Sequence, residues 1–569
     1  MNAVTTHPAG ESVFLPAPIV PTVRWLVASA VALIVATAFA VALWGTQDLV
    51  NWGGWTLTWR FIRAAVSPAM DLAILQLAAT STLTTIAYAL CGSALSLVLG
   101  AVGGVAASEA WWEIVGARFG GKRAYFSWLG KLVRVALSVP RGIHELIWGL
   151  LFVNVLGLDP LVAVLAIGIP FGAITAKVFA ETIDETPRRA ALCLRASGAG
   201  AASAFAYGVL SKSLPFLLSY ALYRLECAIR SAAVLGLIGA GGLGYQIMLS
   251  LQSLRYEQVW TFLYALMLLV ALTDWGNSRI TLALRSRSAT SAEELVKQTR
   301  QVTIAALVVA LGVVASYVYL SLDVGRLFEA PRLARLQSVF ATSLPPRIEQ
   351  GDLSKLATLS AQTLVMSIVA IAMAAVPAVL VSWFSSMSLF DITKGCEKCS
   401  RRPRNFVART LTAATRMGLI AIRGLSDGIW VLLALFIFFP GTFAGAVALA
   451  LYNFGVIGRI LSQANESADK KTFGILRAQG ASFGSAILYG LLPLMLPKYL
   501  AYILYRWEVC LRATVVVGVA GAGGLGRRLE EQLASFDYRG VAATLLFFIA
   551  LTMVVDAVSS SSRRALRQA

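Results

Sequence analysis

Two short glycine-rich stretches have the spacing of a nucleotide-binding turn. "GLIGAGGLGYQ" begins at Gly236 and "GVAGAGGLGRR" begins at Gly518, and each contains G-x-G-x-x-G after an apolar lead-in. In dinucleotide-binding domains such glycines form the turn between a buried strand and a helix whose N–H groups meet the pyrophosphate. That chemistry also needs a soluble parallel sheet and an acidic residue about 20 positions on, and neither stretch has this context. We therefore disfavour a nucleotide site and look for another role for these glycines.

Charged residues form a second repeated motif inside apolar sequence. "YRLECAIR" begins at Tyr223 and "YRWEVCLR" begins at Tyr505, and in each a glutamate precedes an arginine by four residues. This is the spacing of an ion pair on one helical face. Two hypotheses stay open: a buried salt bridge that locks the helix, or an electropositive passage whose guanidinium groups suit phosphate-like oxygens. The residues concerned are Arg224, Glu226, Arg230, Arg506, Glu508 and Arg512.

Two further motifs predict no chemistry of their own. "GARFGGK" at Gly116 has the spacing of a phosphate-binding loop, but Arg123 replaces the Ser or Thr that would hold magnesium. "GCEKC" places Cys396 and Cys399 as half a zinc site, without a second cysteine pair to complete it. We expect no metal, no cofactor and no ATPase site in this chain, and we interpret "GCEKC" as a cytosolic loop unless a partner completes the site.

The composition predicts that membrane-spanning helices position these motifs. The chain is 58% hydrophobic and 14% charged, with a mean hydropathy of +0.74, whereas soluble domains have about 25% charged residues. Uncharged runs at 72–108, 302–322 and 356–390 exceed the roughly 20 residues that cross a bilayer as a helix. The net charge of +19 comes from basic residues concentrated in alternate loops, with a mixed-charge exception at 323–355. This positive-inside pattern predicts twelve spans in a plasma membrane, with both termini in the cytosol.

The sequence contains an internal repeat, in which the second half aligns to the first at an offset of 282 residues. The 25 residues from Tyr220 align without gaps to those from Tyr502 and are identical at 14 positions. The same register pairs Arg141 with Arg423, which belong either to the passage or to a cytosolic anchor. We predict an all-α membrane protein of two parallel six-helix repeats related by a pseudo-twofold axis along the membrane normal. The predicted parts are a first unit at 1–290, a cytosolic linker at 291–300 and a second unit at 301–569.

This frame gives the glycine stretches a structural role at the outer end of each fifth span. Small residues there allow helices to approach closely, or allow an irregular backbone where protein or water satisfies the amides. A tight turn and a gate or close-packing element both stay open as interpretations. The glycines concerned are Gly239, Gly241, Gly242, Gly244, Gly521, Gly523, Gly524 and Gly526.

At this point both halves resemble the permease of an ATP-binding-cassette importer of the phosphonate and phosphate-analogue type, so the chain looks like two fused permeases. In that family a cytosolic segment with a glycine, ending in Leu-Pro, docks into the ATPase. "LCLRASGAGAASAFAYGVLSKSLP" and "GILRAQGASFGSAILYGLLPLMLP", which begin at Leu192 and Gly474, are similar to it. A plain cytosolic connector closed by proline before the next span would look much the same. The resemblance assigns coupling to the ATPase to Arg195, Gly198, Pro215, Arg477, Gly480, Pro493 and Pro497.

The resemblance implies a transport subunit that works with two copies of a separate ATPase, which holds the ATP and magnesium, and with an extracytoplasmic substrate-binding protein. The expected function is import of a phosphonate, phosphate or related phosphorus oxyanion by alternating access. Three alternatives stay open: a permease for methionine or a compatible solute, a secondary transporter, and, more weakly, a membrane NAD enzyme. We expect the chain to bind lipid membrane and no nucleic acid.

Overall fold

The computed structural model describes residues 21–43, 49–116, 123–285, 292–346, 348, 350–386, 404–468 and 471–568. Over these residues the chain is helical throughout and has no β-strand, apart from an isolated bridge between Val50 and Phe438. The predicted all-α fold with two repeats is confirmed, because the helices of the two halves follow one another in the same order.

The first half contains twelve helices within the described ranges. They are α1 (Pro21–Leu43), α2 (Trp55–Ala64), α3 (Leu72–Ala107), α4 (Glu109–Gly116), α5 (Arg123–Gly142), α6 (Glu145–Leu156), α7 (Pro160–Asp184), α8 (Arg189–Ala196), α9 (Ala201–Phe205), α10 (Ser211–Leu235), α11 (Gly242–Gln252) and α12 (Tyr256–Arg285).

The second half repeats this order, with α14 in the place of α2. Its helices are α13 (Ala292–Tyr319), α14 (Ala330–Ser343), α15 (Gln350–Phe384), α16 (Arg404–Gly424), α17 (Asp427–Ile437), α18 (Thr442–Glu466), α19 (Lys471–Ala478), α20 (Phe483–Ser485), α21 (Leu492–Val517), α22 (Gly524–Ala534) and α23 (Tyr538–Gln568).

Among the described residues, seven helices are long and apolar enough to cross a membrane, and ten spans result if each of three bent helix pairs is one span. The bends are 80° between α5 and α6, 44° between α10 and α11, and 91° between α16 and α17. Two shorter apolar helices, Ala32–Leu43 and Thr303–Tyr319, stand first in the two halves and bring the apolar segments to the predicted twelve. The chain is therefore a multi-pass membrane protein.

Small residues determine how the second and fourth spans of the first half pack. A Cβ at Gly100 of α3 would lie 2.5 Å from the Thr175 side chain of α7, and one at Gly104 would lie 2.7 Å from that of Phe179. Lipid provides no hydrophobic driving force between helices, so close backbone approach at glycine supplies the van der Waals contact. Helix α7 is started by Pro160 and by Asp159, which accepts a hydrogen bond from the Leu161 amide at 3.0 Å.

The first helix of each half packs on the opposite half. In α1, Ala38 and Ala42 join the buried cluster around Met366 of α15. In α13, the Tyr319 hydroxyl lies 3.2 Å from the Thr84 hydroxyl of α3. The predicted units at 1–290 and 301–569 are therefore interlocked by an exchange of helices. The described part of the predicted linker, 292–300, is the start of α13.

The mixed-charge loop after α13 folds against the end of the bundle that carries the glycine turns. It contains α14, which packs on α6 and α23. Arg332 pairs with Asp159 at 3.2 Å, and Leu158 of the same turn lies 3.5 Å from the Cβ position of Gly239. This placement agrees with its prediction as an outer loop, although the orientation of the chain in a membrane stays a prediction.

Candidate functional site

A cavity of about 970 Å³ lies between the two halves, along the charged faces of α10 and α21. Along α10 it extends from Phe216 to Val234, and along α21 from Tyr505 to Ala513. Its lining contains eight arginines and five carboxylates, so positive charge is in excess. Five of the six charged residues predicted from the repeated motif line this cavity: Arg224, Glu226, Arg230, Arg506 and Arg512.

The predicted ion pairs on the fifth spans are present. The Arg230 Nη2 atom lies 3.3 Å from Glu226 Oε1, and Arg512 Nη2 lies 3.4 Å from Glu508 Oε1. Both glutamates are buried. An isolated charge at this depth costs about 2.5–3.5 kcal/mol or more, so the pairing explains how two apolar spans tolerate these residues.

Each glutamate also pairs with an arginine of the other half, which the spacing along one helix does not predict. Arg423 of α16 lies 3.3 Å from Glu226 Oε1, and Arg141 of α5 lies 3.7 Å from Glu508 Oε1. The two contacts are related by the 282-residue repeat. Arg141 and Arg423 thus line the cavity and connect the halves.

The sixth spans complete two symmetric charge networks. Asp556 of α23 accepts from Arg141 at 2.8 Å and lies 3.4 Å from Lys177. Its counterpart Asp274 of α12 lies 3.4 Å from Arg423 and 3.5 Å from Arg459. The repeat relates Lys177 to Arg459 as well. Basic side chains of one half therefore meet a carboxylate of the other half at two equivalent places.

The two halves differ at the first arginine of the repeated motif, Arg224 in α10 and Arg506 in α21. The Arg224 guanidinium lies 3.6 Å from the centre of the Phe171 ring, and its Nε and Nη2 atoms have no hydrogen-bond partner among the described residues. Arg506, its counterpart, donates from Nε and Nη2 to Asn453 Oδ1 at 3.1 and 2.7 Å. The two equivalent arginines therefore have different hydrogen-bond environments.

An apolar cluster lies at the end of the cavity near the glycine stretches. Val234 and Leu237 of the first half pack against Val516 and Val519, their counterparts at the 282-residue offset, together with Leu146. We name these five residues the apolar plug. This cluster was not predicted, although the repeated apolar sequences "VLGL" and "VVGV" directly before the glycines indicate it.

The glycine stretches form turns between helices. Gly239 has φ +85° and Gly241 has φ +91°, the left-handed region in which side chains other than glycine are strained. Gly521 and Gly523, with φ +108° and +90°, repeat this backbone. Helix α10 precedes the first turn, where a dinucleotide site would require a strand. The left-handed backbone of these four glycines agrees with the tight-turn interpretation.

Close packing applies to the later glycines of each stretch. A Cβ at Gly244 would overlap the carbonyl oxygen of Ala233, and one at Gly526 would lie 2.6 Å from that of Val515. Cβ atoms at Gly242 and Gly524 would lie 2.7 and 2.8 Å from the hydroxyl oxygens of Thr85 and Thr363. By contrast, the Cβ position of Gly523 faces open space and that of Gly241 meets only the Tyr88 hydroxyl, at 3.9 Å. The gate function itself stays a prediction.

The segments predicted to couple to an ATPase are short helices that end at glycine. Helix α8 ends in a turn in which the Gly198 amide donates to Arg195 O and the Ala199 amide donates to Leu194 O. Gly198 has φ +90°, as a glycine just past such a helix end requires. The Arg195 side chain donates to Ala199 O at 2.7 Å and holds the turn.

The second half builds the same turn after α19. Gly480 has φ +90°, and Arg477 donates to Ala481 O at 2.8 Å. The prolines differ from expectation, because Pro215 and Pro497 lie inside α10 and α21 and not before them. A proline inside a helix leaves one carbonyl without its hydrogen-bond partner. Helices α10 and α21 each begin directly after a π-helical turn, at Ala206–Leu210 and Ala486–Leu491. Pro493 lies in the first turn of α21, where its missing N–H costs little.

Two sequence motifs lie wholly or largely outside the described residues. "GCEKC", with Cys396 and Cys399, lies wholly outside, and "GARFGGK" is described only at Gly116, the end of α4. In the described part of the chain, no group of histidine, cysteine and acidic residues has the arrangement of a metal site.

The family described as "Binding-protein-dependent transport system inner membrane component" matches residues 114–286 and 356–568. The two matches cover more than half of the chain and repeat the same domain. The chain belongs to this family. This permease is therefore a transport subunit of a system that includes a substrate-binding protein and an ATPase.

Known relatives of the permease are named for transport of phosphorus oxyanions. The phosphate-import permease protein PhnE of Mycolicibacterium smegmatis is 24% identical over 423 residues, 74% of this chain and 75% of that protein. The phosphite transport system permease protein PtxC of Stutzerimonas stutzeri is 36% identical over 124 residues, 22% of this chain and 45% of that protein. PhnE2 of Escherichia coli, named for cryptic phosphonate transport, is 35% identical over 118 residues, 21% of this chain and 97% of that protein.

The fold of the permease also has a likeness among solved structures. A chain of the inward-facing MetNI methionine ABC transporter aligns with a TM-score of 0.32 and 18% identity, over 38% of this chain and 99% of that chain.

Proposed function

We propose that this chain forms the complete membrane pathway of an ATP-driven importer for a phosphorus oxyanion: a phosphonate, phosphate or phosphite. The observation that carries the proposal is the cavity between the halves, where eight arginines face five carboxylates. Guanidinium groups bind phosphate-like oxygens through paired, charge-assisted hydrogen bonds. The names of the relatives, all for phosphate, phosphite or phosphonate permeases, support this substrate class.

Two ATPase copies dock, in this proposal, on the glycine-ended helices α8 and α19. The two segments have the same turn, with Gly198 and Gly480 at φ +90°, so one type of ATPase surface fits both. A single chain with two such segments replaces the pair of permeases that an importer otherwise assembles. Both termini and these segments lie on the cytosolic side.

The substrate-binding protein delivers the anion at the opposite side, near the glycine turns. We propose that the apolar plug, which lies between the cavity and the glycine turns, separates the cavity from that side. Binding of ATP closes the ATPases, α8 and α19 move, and the fifth spans part at the plug. The glycine turns that follow α10 and α21 permit this movement because their backbone is not helical.

Uptake by whole cells tests the proposed substrate class. Cells without their own phosphorus transporters would produce the chain with its ATPase and binding protein, and would be given labelled phosphate, phosphite, a phosphonate or methionine. We expect uptake of at least one phosphorus oxyanion and none of methionine. Methionine uptake without any phosphorus oxyanion uptake would overturn the proposal.

A further inference from the structure

The two halves differ at a position of the fourth span that contacts the fifth span. Residue 171 of α7 is phenylalanine, and its counterpart 453 of α18 is asparagine. Each lies beside the equivalent arginine of its own half, Arg224 or Arg506. A duplicated unit would give both arginines the same neighbour, so this difference changes what the two arginines can do.

Asn453 occupies the binding edge of Arg506. The Nε and Nη2 atoms of an arginine form a side-on fork that matches two oxygens of a carboxylate or phosphate. In Arg506 both atoms donate to Asn453 Oδ1, at 3.1 and 2.7 Å. Arg506 is therefore held by the protein and has this edge satisfied.

Phe171 leaves the same edge of Arg224 buried and without a hydrogen-bond partner among the described residues. The ring lies against the face of the guanidinium, 3.6 Å from its central carbon, and a ring face accepts no N–H bond in the guanidinium plane. Arg224 is only 7% exposed, lines the cavity, and forms no ion pair with any described residue. A buried cation without a directly paired carboxylate is costly, and an anion in the cavity would supply that partner.

Two other cavity-lining positions of the fifth spans, α10 and α21, are polar in the first half and apolar in the second half. Cys227 and Ser231 of α10 line the cavity, whereas their counterparts on α21 are Val509 and Ala513. At these two positions, the fifth span of the first half is therefore more polar than that of the second half.

We infer that the transported oxyanion binds in a one-sided site, on the Nε and Nη2 edge of Arg224, and that Arg506 is a structural residue. This inference rests on the proposed function. It replaces a symmetric site shared across the pseudo-twofold axis, because Arg512 donates to Arg141 O at 3.1 Å and pairs with Glu508, and Arg230 pairs with Glu226.

The matched variants Arg224→Gln and Arg506→Gln test the one-sided site. Each removes one charge at equivalent positions, and neither leaves a carboxylate unpaired. In proteoliposomes with the ATPase and saturating binding protein, Arg224→Gln should lower the phosphate uptake rate at least about tenfold, as expected for losing charge-assisted hydrogen bonds to an anion. Arg506→Gln should stay within about threefold of the unmodified chain.

A binding measurement separates substrate contact from a structural effect. Inorganic phosphate should raise the melting temperature of the detergent-solubilised chain and of Arg506→Gln, but not that of Arg224→Gln. If Arg224→Gln fails to assemble with the ATPase, Arg224→Lys keeps the charge and removes the fork, and its uptake should still fall.

The possible failures are distinguishable. Absence of phosphorus oxyanion uptake by the unmodified chain contradicts the proposed function. Normal uptake by the unmodified chain with unchanged uptake by Arg224→Gln or Arg224→Lys overturns the one-sided site alone. Equal impairment of Arg224→Gln and Arg506→Gln would instead restore the symmetric site.

Discussion

At the scale of single residues, Glu226 pairs with arginines of both halves at once. Its Oε1 atom lies 3.3 Å from Arg230 of its own helix and 3.3 Å from Arg423 of the other half. Glu226 is 3% exposed, so water does not replace these contacts. Neutralising Glu226 and Arg230 together, which the helix spacing suggests as a clean test, would still weaken the pairing of Arg423.

Glu226→Gln should therefore destabilise the chain strongly. Removing one partner of a buried ion pair costs about 3–5 kcal/mol, because the remaining charge stays buried. Thermal unfolding in detergent should show a clearly lower midpoint. The control is Glu531→Gln, since Glu531 pairs with Arg527 at 3.0 Å with both side chains about half exposed, and such pairs contribute roughly 0–1 kcal/mol. Equal midpoints for the two variants would show that the network does not hold the halves together.

Phe171→Asn should convert the environment of Arg224 into that of Arg506. The new amide oxygen would accept from the Nε and Nη2 atoms of Arg224, as Asn453 does for Arg506. We expect phosphate uptake to fall severalfold or more while assembly with the ATPase is kept. Phe171→Leu, which adds no acceptor, is the matched control and should retain more uptake. Lower uptake for leucine than for asparagine would contradict this role of residue 171.

At the scale of helices and turns, the glycines fall into two groups that the shared motif does not separate. Gly244→Ala should lower the stability of the chain more than Gly241→Ala does, because its Cβ would overlap the Ala233 carbonyl oxygen. Such overpacking costs about 1–3 kcal/mol or more. Gly241→Ala adds strain of about 1–2 kcal/mol from φ +91° alone. Gly276→Ala, in α12 with nothing within 4 Å, is the neutral control. Melting temperatures in the reverse order would contradict the packing described here.

The coupling helices allow a change that should separate transport from ATP hydrolysis. Gly198→Val with Gly480→Val places each side chain in open space, so the cost is backbone strain at φ +90°, about 1–2 kcal/mol per site. The chain should still reach the membrane, while uptake should fall at least about tenfold as the docking turns distort. Gly200→Ala, at a glycine with φ −61°, should behave normally. Full uptake and full ATPase binding by the double variant would show that these turns do not couple.

Much of the architecture could be predicted from sequence, because apolar runs, basic loops and the 282-residue offset each have a direct physical meaning. The sequence could not predict which helices pack against each other. The apolar parts of α1 and α13, Ala32–Leu43 and Thr303–Tyr319, have no charged face, so their composition does not reveal that each packs on the opposite half. The positions of Pro215 and Pro497 inside helices were also mispredicted, since proline is typical of helix starts.

Within the site, sequence spacing predicted contacts along one helix and missed contacts between helices. Glu226 and Arg230 are four residues apart, whereas Arg141 and Asp556 are 415 apart and meet only through the fold. The difference between Phe171 and Asn453 is visible in the repeat. Its effect on Arg224 depends on α7 facing α10, which no pattern in the sequence specifies.

At the scale of the whole molecule, one chain supplies both walls of the pathway and both predicted docking helices. The halves are joined by exchanged first helices and by charge networks around Asp274 and Asp556. Gentle purification should therefore recover one permease chain with two ATPase copies. Native mass spectrometry would measure this ratio, and a single ATPase per chain would contradict equal docking on α8 and α19.

The central claim is that this permease imports a phosphorus oxyanion at the expense of ATP hydrolysed by its partner. The most direct measurement is uptake of labelled phosphate, phosphite and phosphonate into proteoliposomes that contain the permease and its ATPase, with ATP inside and binding protein outside. We predict uptake of at least one of these anions. This uptake should require both ATP and the binding protein, and an ion gradient alone should not drive it. Uptake that proceeds without ATP under an imposed ion gradient would contradict this claim.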